Sequence, residues 1–134
     1  MTTETRFFRA AVVAFAAGLV VQTTKAGALL ADAAPPAWLP DAMHLLTAGG
    51  IGFALLGLLV RVEPSLAPDE RFRKGPAPRA YFTFALGVVL AAFVAPFATR
   101  STFFAALTLA GWLLEIAALG MVLLARTSGG LGRN

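Results

Sequence analysis

The run "AMHLLTAGGIGFALLGLLV", residues 42–60, carries no formal charge from end to end. As a helix rising 1.5 Å per residue it covers roughly 30 Å, the thickness of a bilayer's hydrocarbon core. A soluble helix of that length keeps a polar face, and beyond His44 and Thr47 this one has none. Three more runs flank it. Residues 8–30 are broken only by Arg9 and a "QTTK" patch, residues 80–98 are uncharged, and residues 102–125 are broken only by Glu115. With 58% hydrophobic and 13% charged residues, the composition lies far from that of soluble domains. The predicted fold is an all-α integral membrane four-helix bundle forming one transmembrane domain over 1–134. Its helices are expected at about 6–32, 41–62, 79–97 and 102–126, with a solvated loop at 63–78.

Charge placement gives an orientation. Four crossings put Arg6, Arg9, Arg61, Arg71, Arg73, Lys74, Arg79, Arg126 and Arg133 on one side, leaving Arg100 opposite and Lys25 within a span. By the positive-inside rule both termini are expected to be cytoplasmic, in a multi-pass protein of a bacterial-type inner membrane. The net charge of +4 is then a property of membrane-flanking loops, and no nucleic-acid partner is expected. Cysteine is absent, which excludes disulfides, iron–sulfur clusters and thiolate nucleophiles. The first run resembles a signal peptide, with Arg6 and Arg9 ahead of it and "ADA" at 31–33. It is too long for a signal core and is read as a retained span.

Punctuation between the runs is clear. "ADAAPPAWLPDA" at 31–42 stops helix one with three prolines, sets Trp38 at headgroup level and offers Asp41 as the cap of helix two. "EPSLAPDERFRKGPAPR" at 63–79 reads as a cytoplasmic loop. Pro96 closes helix three, Ser101 or Thr102 caps helix four, and "TSGGLGRN" at 127–134 reads as a mobile tail. Gly49, Gly50, Gly52, Ala54 and Gly57 on helix two, and Gly87 with Ala91 on helix three, allow close backbone approach. An internal echo, "FAAGLVV" at 15–21 and "FALGVVL" at 84–90, hints at a two-helix duplication.

Ionisable groups inside spans are costly and mark candidate sites: here Lys25, His44 and Glu115. Gln22 and Lys25 share a helix face; Lys25 either snorkels outward or meets an anionic group such as a haem propionate. Glu115, midway along helix four, is either a proton-relay or ion-binding carboxylate or an acid hydrogen-bonded between helices. His44 is expected about one turn below the outer surface, where Lys25 is within reach. It is either an axial ligand for haem iron or copper, over a face of Thr47, Ala48, Ile51, Gly52 and Leu55, or an interfacial histidine bonded to a neighbouring helix.

The segment "WLPDAMHLLTAGGIGFALLGLLVRVEP" resembles the repeated H-x-L-T-x-G-x-x-G helix of the NnrS-type membrane haem proteins, relatives of the haem–copper oxidase superfamily. His44, Thr47, Gly49, Gly52 and Arg61 match that layout. The resemblance covers helix two and its flanks, and this chain has the length of one four-helix unit of those larger proteins. It implies haem b, with His44 as the metal ligand and axial to the haem. The distant second histidine of that superfamily, and the histidine cluster that binds copper or non-haem iron, have no counterpart here. The chain alone is therefore not expected to be a complete enzyme reducing oxygen or nitric oxide.

The leading expectation is a haem-binding membrane protein for electron transfer or diatomic gas binding. Two copies about an axis normal to the membrane would bring two His44 imidazoles to one haem, so a homo-oligomer is expected; Met43 and Met121 are poor axial partners within one chain. The competing reading is an accessory subunit that packs in lipid against a larger respiratory or photosynthetic complex. A small transporter using Glu115 and Lys25 is a third, weakened by the lack of a symmetry mate for the carboxylate.

Overall fold

The computed structural model describes the backbone of residues 3–62 and 76–131 and the side chains of 5–61 and 78–124. The expected loop thus lies almost wholly outside the described residues. Among the described residues there are only helices, and four of them are long and apolar enough to cross a membrane. We number them α1 (Thr3–Leu30), α2 (42–62), α3 (Pro76–Phe93) and α4 (Thr102–Leu131).

Neighbours run antiparallel, as the contacts require. Gly18 of α1 faces Ala42 and Leu46 of α2, while Gly57 further along α2 faces Phe7 of α1. Gly49 and Gly52 of α2 meet Val88 and Phe84 of α3, and Gly87 of α3 meets Gly111 and Glu115 of α4. The two glycines of the internal echo, Gly18 and Gly87, therefore play the same part. Each lets the first helix of a hairpin take its successor at close range. At the opposite end from the 31–41 connection the core is aromatic: Phe7, Phe53, Tyr81 and Phe84 pack at centroid distances of 4.8–6.4 Å, several edge to face.

Helix ends follow local chemistry. α1 stops at Leu30 because Asp32 adopts a left-handed backbone with φ of 57°. Its N–H then bonds Leu29 O (3.1 Å) and that of Ala33 bonds Ala28 O (2.8 Å), the paired closure of a Schellman motif. Asp41 caps α2 by accepting from the His44 N–H at 3.3 Å, and Ser101 caps α4 by accepting from the Phe104 N–H at 3.2 Å. α4 runs on to Leu131, so the tail expected to leave the helix at Thr127 continues it through two glycines; residues 132–134 lie outside the described residues.

Two departures from the sequence reading shape the site. The α-helical part of α3 ends at Phe93 and passes into a 3₁₀ turn, Ala95–Phe97, that contains Pro96. Proline has no N–H to return to the carbonyl four residues earlier. The Ala92 carbonyl accepts instead from the Asp41 N–H, at 2.8 Å. This bond ties the start of α2 to the side of α3, five residues short of Phe97 and so below the end of the hairpin. The second departure is within α2. Residues Leu45–Gly52, "LLTAGGIG", form a π-helix between two α-helical segments, Ala42–His44 and Phe53–Val62. Its glycines lie against other helices: a Cβ on Gly49 would come within 2.7 Å of Ala14 Cβ, and one on Gly50 within 2.6 Å of the Phe15 ring.

Candidate functional site

Because α2 begins low against α3, His44 reaches the middle of α4. Its Nε2 lies 2.5 Å from Glu115 Oε1, a short hydrogen bond between side chains that are only 10% and 13% exposed. Glu115 is thirteen residues into α4, about 20 Å from its start by helical rise. His44 is the third residue of α2. Equal depth along the bundle thus comes from the Asp41–Ala92 tie rather than from equal position along the two helices.

Trp112 completes the grip. It stands three residues before Glu115, hence on the same face of α4, and its ring stacks on the His44 imidazole with centroids 5.5 Å apart and planes inclined by 26°. Side chains on a helix lean toward its N-terminus, so the Glu115 carboxylate rises toward the level of Trp112, where the imidazole sits. Glu115 itself is pressed in place by α3: a Cβ on Gly87 would lie 2.6 Å from Gly111 O and 2.8 Å from Glu115 Cγ. Helix α3 therefore sets α4, and the carboxylate it carries, through a backbone contact that only glycine permits.

The pair has two open positions. His44 Nδ1 and Glu115 Oε2 have no hydrogen-bond partner among the described residues. Beside the carboxylate, α2 and α4 part over α3 to leave a groove of about 580 Å³, lined by Ala48, Gly52, Leu55, Phe84, Glu115 and Leu119 among others. Every other lining side chain is apolar.

Of the residues singled out in the sequence, His44 and Glu115 are brought together, and Ala48 and Gly52 join Glu115 on the groove. Thr47 and Ile51 are not with them. At about 4.4 residues per turn the π-helix carries His44, Ala48 and Gly52 down one side and swings the intervening positions away. Thr47 is exposed and its hydroxyl bonds back to Met43 O at 2.6 Å, while Ile51 lines a separate groove against Phe15 and Leu19 of α1. Lys25 is half-buried and makes no hydrogen bond or ion pair among the described residues; Gln22 is exposed, and Thr23 and Thr24 bond to their own helix. The polar patch of α1 thus stands apart from the pair. Met43 is 62% exposed and points away from the imidazole.

Sequence reasoning missed Trp112 altogether and did not pair His44 with Glu115. The W-x-x-E spacing on an intramembrane helix was the available signal for the first; nothing local signalled the second. Among the described residues no group of three or more His, Asp or Glu side chains is placed to hold a metal ion. Comparison with protein-family models, with curated proteins and with solved structures returns no match.

Proposed function

We propose that this chain is an integral membrane protein, both termini cytoplasmic, whose working group is the His44–Glu115 couple, and that the couple holds haem b with His44 as an axial ligand. The single observation that supports it is the state of the imidazole. One ring nitrogen is fixed on a carboxylate, and the other has no partner among the described residues. A metal-ligating histidine commonly donates its other ring N–H to a carboxylate, which fixes the tautomer and raises the basicity of the ligating nitrogen; here the held nitrogen is Nε2, so the ligating one would be Nδ1. With Glu115 ionised, Nε2–H donates to Oε1 and Nδ1 presents its lone pair. The helix-two resemblance points to the same residue and the same cofactor.

The donor set fits one axial position and no more. Haem bound there would supply one-electron chemistry or a site for a diatomic gas. A second His44, from another copy of the chain, would favour electron transfer, and its absence would favour gas binding. Within this chain His44 would hold the haem iron, while Glu115 orients the imidazole, Trp112 covers its face, and Gly87 sets the depth of Glu115. An absorption spectrum of the detergent-purified chain, oxidised and then reduced, tests the proposal. A Soret band that shifts on reduction and is lost in His44→Ala supports it; a colourless, folded protein that stays colourless with added haemin defeats it.

A second reading has its own observation. Phe103, Leu109, Trp112, Leu113, Ile116 and Leu124 leave α4 broadly exposed along its length, a surface for lipid or for a larger membrane complex. An accessory role predicts co-purification with membrane partners, undiminished by His44→Ala.

A further inference from the structure

We infer that the groove beside Glu115 is a binding site for a lipophilic phenol, with the ligand's hydroxyl donating to Glu115 Oε2. The argument begins with proton bookkeeping on the pair. If Glu115 is ionised, His44 Nε2–H donates to Oε1 and Oε2 is a carboxylate oxygen. If that proton sits on Oε1 instead, Oε1–H donates to Nε2 and Oε2 is a carbonyl oxygen. With one proton shared between Nε2 and Oε1, Oε2 is therefore an acceptor on either side of the transfer, and no donor reaches it among the described residues. Glu115, only 13% exposed, lines a groove whose other walls are apolar, so a donor for its second oxygen has to come from the groove's occupant.

The shape of the groove defines the rest of the ligand. Next to Glu115 the wall of α2 is Ala48 and Gly52, and the Phe84 ring lies against Gly52, close enough to come within 2.7 Å of an added Cβ. Phe84, itself buried, fills the space over Gly52, so the low part of the wall beside the carboxylate is Ala48, and a flat ring is the group that so shallow a wall admits. Further along, Leu55, Leu59 and Leu119 line the groove with nothing polar, as an alkyl tail requires. A volume of about 580 Å³ lies within the range of small-molecule sites. An acyl chain of bulk lipid fills such a groove but brings no donor to Oε2. This site is independent of haem ligation, which uses the other end of the pair.

The test is a matched pair of probes on the full chain in detergent micelles, 4-nonylphenol and its methyl ether 4-nonylanisole. Trp112 fluorescence is read in a Trp38→Phe background. The phenol is expected to bind at least tenfold more tightly than the ether, and Glu115→Leu to remove that preference. Leu119→Phe, which obstructs the tail channel away from the pair without adding a second tryptophan, is expected to weaken binding of both while leaving helicity unchanged. Equal binding of phenol and ether, or undiminished phenol binding in Leu119→Phe, overturns the proposal. Colourless protein that binds the phenol would reject haem and leave this inference standing, so the two fail separately.

Discussion

The Asp41 N–H donates to Ala92 O at 2.8 Å, and Pro96 makes that carbonyl available by lacking the N–H that would otherwise claim it. The bond fixes the start of α2 beside Ala92 of α3, and with the glycine contacts of α2 it sets which residue of α4 the histidine meets. Pro96→Ala is expected to extend α3 and set its own amide in competition for Ala92 O. Amide hydrogen exchange at Asp41 should then accelerate, and the His44 ring proton signal should shift; unchanged exchange would show that another contact sets the level of α2.

The His44–Glu115 bond joins two helices that otherwise part over a groove. Side-chain hydrogen bonds between membrane helices contribute about 0.6 kcal/mol on average and up to about 1.7 kcal/mol. The burial of both side chains here places this one toward the upper end. Glu115→Leu should therefore cost about 1–2 kcal/mol in a reversible unfolding assay in micelles, and Glu115→Gln, whose amide oxygen still accepts, less. A double-mutant cycle with His44→Ala gives the coupling directly.

Glycines should separate sharply by what surrounds them. Gly87→Ala drives a methyl into Gly111 O and Glu115, which should cost about 1–3 kcal/mol by overpacking and displace the carboxylate from His44. Gly27 and Gly120 have no neighbour within 4 Å of an added Cβ, so alanine at either should be neutral or stabilise by up to about 1 kcal/mol. Thermal denaturation of the three variants, with Trp112 fluorescence as a local report, checks the ranking.

The absence of cysteine makes topology directly measurable. Single cysteines at Thr2, Ala37 and Asn134 should divide under a membrane-impermeant maleimide added to intact cells: Ala37→Cys labelled, the two terminal variants protected until the membrane is opened. Labelling of the termini instead would reverse the orientation proposed from the arginine distribution.

Much of this was legible in the sequence, for identifiable reasons. The four runs, the Asp41 cap and the Ser101 cap depend on composition and on contacts spanning a few residues. The π-helix was not legible, because "LLTAGGIG" has apolar and small residues at every phase and its period is set by Ala14, Phe15, Phe84 and Val88 packing on its glycines. Nor was the meeting of His44 with Glu115. Counting residues inward from each helix start puts them at different depths, and the difference is removed by long-range contacts, the Asp41–Ala92 tie among them. Of the face predicted for His44, Ala48 and Gly52 lie along the groove and Thr47 and Ile51 turn away, a direct result of the wider turn of the π-helix.

The central claim, that the couple holds haem through His44 with Glu115 orienting it, is tested most directly by titrating haemin into the purified full-length chain, His44→Ala and Glu115→Gln, following the Soret band. The account predicts saturable binding by the unaltered chain, none by His44→Ala, and affinity lowered about 10- to 100-fold in Glu115→Gln. Equal titration curves for all three proteins would contradict it.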